Sequence, residues 1–137
     1  MAETVTNRGK FRGGRDGLNT LDLRMCIFTG TATGTNDPDL NTVADLDAVT
    51  GVSIHTERIA LTGEAYTEDD VNNRMNGDSN NVTFAAAPGV TAQGVAIYDE
   101  GSGTDATRDL IAIYSTGFPQ PVDGGLVITV TDFIRLS

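Results

Sequence analysis

Few side chains in this 137-residue chain are of kinds that do covalent chemistry, and their spacing does little to bring them together. The one histidine, His55, has no partner at a fixed offset, and neither a Gly-x-Ser-x-Gly nor a Ser-x-x-Lys arrangement sets a serine beside a base. His55 is therefore expected to be exposed or structural. The stretch GKFRGGRDG, residues 9–17, has the glycines of a phosphate cradle without its Gly-x-x-x-x-Gly-Lys-Ser/Thr order, and no strand leads into it. The single cysteine, Cys26, excludes an internal disulfide and a cysteine-based zinc site. Its apolar neighbours in 23–28 predict a buried, inert thiol.

Hard oxygen ligands are more plentiful. Glu68, Asp69, Asp70, Asn72, Asn73, Asn76, Asp78 and Asn80 are of the type calcium prefers, but their spacing is not that of an EF-hand loop. The pattern favours a solvated passage of Asx turns, with calcium at 68–80 left open. On an extended chain Asp69 and Asp70 point apart, which weakens them as an acid/base pair. The expectation is a protein without enzymatic activity or a cofactor.

The elements that must position these residues are mostly strands. Glycine is abundant, tryptophan is absent, and Val, Ile and Thr are frequent, a bias toward strands joined by turns. Strands are expected at 21–29, at 51–54 and 57–61 (two strands or one bent strand), and at 82–86, 94–98, 110–114, 126–131 and 133–136, with Leu21, Leu23, Met25 and Ile27 on one face of the first. The runs 94–98 and 110–114 pair naturally as a hairpin, and 62–80 forms an acidic, Asn-rich excursion between two strands. One short helix is predicted over about 39–48, with Asp37 as N-cap and Pro38 in its first turn. The fold class is mainly β: an antiparallel β-sandwich of about seven or eight short strands with one short helix and an extended N-terminal arm. Residues 1–20 are expected as a flexible basic arm and 21–137 as a single β-sandwich domain.

Charge divides the chain in the same place. The first 24 residues carry five basic groups (Arg8, Lys10, Arg12, Arg15, Arg24) against three acidic ones. The remainder carries four arginines against 16 acids, and the net charge is −10. Such a body repels DNA and anionic membranes, so neither is an expected partner. No apolar run is long enough to span a bilayer, and no signal-peptide core stands at the start. The arm has three readings: a solubilising tail, a strap across a neighbouring subunit, or a nucleic-acid tether, the last weakened by its own acids. Its expected contact residues are Arg8, Lys10, Phe11, Arg12 and Arg15, with Phe11 as the apolar anchor.

One arrangement reaches beyond composition. Arg58-x-Ala60-Leu61-Thr62-Gly63 is followed by Thr67-x-Asp69-Asp70-x-Asn72-x-Arg74 and Asn81-x-Thr83-Phe84. Then come Gly94-Val95-Ala96-Ile97-Tyr98-Asp99, a polar loop, Leu110-Ile111-Ala112, and a glycine-rich turn before Ile128-Thr129-Val130. Over about residues 50–137 this pattern resembles small structural proteins of tailed bacteriophages. Thr56-Glu57-Arg58 stands where that family has a Tyr-x-Arg, and the tryptophan usual near Phe84 is missing. The resemblance implies a non-enzymatic virion protein. Its leading form is a capsid decoration (cement) protein on the capsid surface, bound to the major capsid protein as a trimer or dimer. A tail, collar or fibre-associated protein is the alternative, and a free ligand-binding module a further one.

Overall fold

Apolar side chains at successive positions of Leu23–Thr29 (β2), Gly94–Asp99 (β8) and Leu110–Tyr114 (β9) require strands covered on both faces, and that is where these segments lie. In the computed structural model, which describes residues 4–130 and 133–136, they form the centre of a five-stranded antiparallel sheet. Its order is β1 (Thr4–Val5), β9, β8, β2 and β3 (Ser53–Ala60). Met25 opposes Ile97 and Ile27 opposes Val95, so residues of one parity stack on one face.

That face, with Leu23, Met25, Ile27, Val95, Ile97 and Tyr114, packs against a second layer of three small antiparallel sheets. These are β12 (Ile134–Leu136) with β5 (Arg74–Asp78) and β4 (Ala65–Asp69), β11 (Leu126–Ile128) with β6 (Val82–Phe84), and β10 (Gln120–Pro121) with β7 (Thr91–Ala92). Phe84, Ile128, Phe133 and Ile134 supply their share of the core. On the opposite face Cys26, Phe28, Ala96, Tyr98 and Ile113 pack with Val43 and Leu46 of the short helix Val43–Asp47 (α2) and with Val52. The chain is a mainly β, antiparallel sandwich with a helical flank.

Several expectations are corrected. The described strands number 12: beyond those expected there are the two-residue strands β1, β7 and β10, too short to show a periodicity, and the pair β4 and β5. The excursion 62–80 is itself a hairpin, β4 with β5, turned through Asn73 at φ 51°. Of the two readings of 51–61, the structure has the single strand, β3, irregular in its pairing with β2 between Cys26 and Phe28. The flank helix starts at Val43, where Thr42 and Asp45 form a reciprocal capping box. Asp37 instead closes a turn, accepting from the Asp39 N–H at 2.9 Å. Position 131 of the last predicted strands lies outside the described residues.

The largest difference is at the N-terminus. From residue 4 onward the segment expected as a flexible arm is ordered: β1 pairs with β9, Asn7–Asp16 is a helix (α1), and Leu18 is buried. The sequence offers α1 little support, since three of its ten residues are glycine, at about 1 kcal/mol each relative to alanine. Its stability comes from the body. Thr6 caps the helix by accepting from the Gly9 N–H at 2.8 Å, while the Thr6 hydroxyl donates to the carbonyl of Leu110. Gly9 lets the helix lie directly on β9: a Cβ there would stand 2.3 Å from the Ile111 carbonyl oxygen.

Candidate functional site

The seat beneath α1 begins with an irregularity. β9 holds one residue more than β8 at this point, since Ile97 faces Ala112 and Tyr98 faces Leu110, leaving Ile111 as a bulge. The Ile111 carbonyl accepts the Thr6 N–H at 3.0 Å. Beside it the ends of the hairpin set two carboxylates, Asp99 and Asp109, and Arg12 of α1 reaches both. Arg12 Nη2 lies 2.8 Å from Asp99, Nη1 donates to Asp109, and Nε holds Asp16 one turn along. Asp99 is 4% exposed and Arg12 14%, so this is a largely desolvated ion pair. Burial alone would make the Arg12 guanidinium easier to deprotonate, but its bonds to Asp109, Asp16 and Asp99 outweigh that and raise its pKa. Arg8 adds a longer contact to Asp109 at 3.7 Å.

A second cluster adjoins it along the 99–109 loop. Arg58 grips Asp105 with two hydrogen bonds of 3.2 and 3.1 Å. Arg108 bonds Asp105 at 2.9 Å and also Glu100. Both guanidiniums lie over the Tyr98 ring, 5.4 and 5.8 Å from its centroid. Burial works to raise the Asp105 pKa, yet the hydrogen bonds from Arg58 and Arg108 prevail and lower it. Beneath Arg58, burial pushes the Cys26 thiol up to about 12, which keeps it protonated and unreactive.

Chemically, these arginines and carboxylates neutralise one another and lock three elements together. Among the expected contact residues, Arg8 and Arg12 turn onto the protein's own acids. Lys10 is exposed and Phe11 is 52% exposed, on the outer side of the same helix. The Arg15 side chain lies outside the described residues. The residues missed from sequence are the receiving carboxylates, Asp99, Asp105 and Asp109. Their signal is a bracket of acids around the polar loop that follows a fully apolar strand.

Elsewhere, His55 lines an open cleft of about 490 Å³ with Thr29, Thr91 and Gln93, its Nδ1 accepting from the Glu57 N–H at 3.3 Å. In the acidic hairpin, Asp69 accepts from the Asn72 side chain at 2.8 Å, Arg74 at 3.0 Å and Asn76 at 3.5 Å. Hydrogen bonding by Asn72 leads the effects that lower its pKa. Among the described residues, no three His, Cys, Asp or Glu side chains converge as metal ligands, and no helix is long and apolar enough to cross a membrane. No family model, curated protein or solved structure matches the chain.

Proposed function

We propose that the chain is a structural protein of a tailed-phage virion: a capsid decoration protein that binds the outer face of the major capsid protein lattice and stabilises the head. The observation that carries this reading is how the charged groups are used. Arg12 and Arg58 are each tied to acids from distant parts of the chain, and Arg108 braces Asp105 and Glu100 within their own loop, which stiffens the body. A stiff particle with net charge −10 stays soluble when crowded, as a part packed many times on a shell must. The phage-like pattern adds support, because its segments fall on β3, the β4–β5 hairpin, β6, β8 and β9, the frame of both layers.

Attachment to the capsid falls to the outward side of α1, where Lys10 and Phe11 are presented, and to the body surface next to it. A dimer or trimer at a symmetry position of the shell is the proposed state. The test is the copy number in purified virions, by quantitative mass spectrometry, with the position fixed by electron microscopy. Copies in ratio to the capsid lattice are expected. A single ring of copies at the neck or tail would overturn the decoration role in favour of a collar or tail component, and absence from particles would overturn both.

A further inference from the structure

We propose that residues 4–16 are an exchangeable strap, seated on β9 of their own body in the isolated protein and on β9 of a second copy when copies are crowded. The inference stands on the seat's geometry and does not depend on where the protein works.

Four observations carry it. First, the strap's contacts run to one face of the body: the β9 edge, the bulged Ile111, the acids at the two ends of the hairpin, and the Pro38–Asp39 turn that receives the Asn7 N–H and side-chain amide. Each is available in the same form on another copy. Second, strap and body meet at a pivot. Gly17 has φ 76° and ψ 134°, between the end of α1 and a short turn whose Leu18 is 3% exposed and fixed in the core. Rotation at Gly17 swings the strap at the cost of the Thr20 hydroxyl's bond to the Asp16 carbonyl, while Leu18 keeps its place in the core. Third, the glycine-rich helix has little reason to persist off the body, so its release is local.

Fourth, the seat selects its occupant. Undocking leaves Asp99 and Asp109 without the Arg12 guanidinium that joins them, on a protein whose charge is already strongly negative. The replacement must bring an extended edge strand, a hydroxyl aimed at the Leu110 carbonyl, a residue without Cβ against Ile111, and an arginine three positions further on. Thr4–Val5, Thr6, Gly9 and Arg12 of a second copy meet all of these at once. The balance between own and neighbouring seat is then one of effective concentration.

Cysteines at Val5 and Ala112, which face each other across β1 and β9, test this. The double variant V5C/A112C closes within one chain on mild oxidation and reports the strap at home. The two single variants mixed at high protein concentration are expected to give a V5C–A112C disulfide-linked dimer, well above the dimer each forms alone. No excess in the mixture, with the double variant closing normally, would overturn exchange. Should a cysteine variant fail to fold, the unaltered chain decides. After incubation at high concentration near its melting temperature and then dilution in the cold, light scattering is expected to find a dimer that persists and reverts on rewarming. A monomer throughout would overturn the proposal.

Discussion

Arg12 ties the chain's beginning to its middle. Its partners Asp99 and Asp109 lie 87 and 97 positions away, so no window of sequence can display the pair. What is legible at the start of the chain is a surplus of cations; that Arg8 and Arg12 turn onto the body's acids follows from where β8 and β9 end. Arg12→Ala leaves two poorly solvated carboxylates without the guanidinium that joins them and is expected to cost about 3 kcal/mol, the low end for a buried pair, read as a lower denaturation midpoint. Amide protection across 7–16 is expected to be lost with it. Arg12→Lys keeps the charge but not the fork that reaches both acids, and is expected to restore only part.

Among the elements, legibility follows the source of stability. β2, β8 and β9 could be read because each is apolar on both faces, which is a property of the strand's own residues. The expected helix over 39–48 overlaps α2 but differs at its start, since Asp37-Pro38 and Thr42-x-x-Asp45 are both cap sequences and only the second is joined to a buried Val43. α1 leaves no such mark in the sequence because its stability is lent by the surface beneath it. Gly9→Ala separates these contributions. Helix propensity alone predicts a gain of about 1 kcal/mol. The contact with the Ile111 carbonyl predicts a loss, and it prevails because a backbone atom cannot step aside. Faster hydrogen exchange in α1, with β8 and β9 still protected, is the expected result; slower exchange would mean the helix stands clear of the strand.

For the whole molecule, the ion pairs set how stability responds to acid. The pKa values of Asp105 and Asp69 are lowered on folding, so their contribution is complete above the unfolded aspartate value of about 3.9. It fades as pH falls through the folded values. The melting temperature is therefore expected to vary little with these groups from neutral pH down to about 5 and to drop below about 4. Scanning calorimetry across that range checks it. In Arg58→Met, which withdraws one of the two guanidiniums on Asp105, the acid-side drop is expected to become shallower, because less of the stability depends on that carboxylate remaining charged.

The bulge at Ile111 links these scales. It turns two consecutive side chains, Ile111 and Ala112, toward the same core, and it sets the carbonyl that receives Thr6. Removing that one residue would let β8 and β9 zip into an uninterrupted ladder, a tidier sheet by any local measure. The same deletion would leave the first helix with nowhere to land. The imperfection in the central hairpin is thus the fitting by which the head of the chain is fastened.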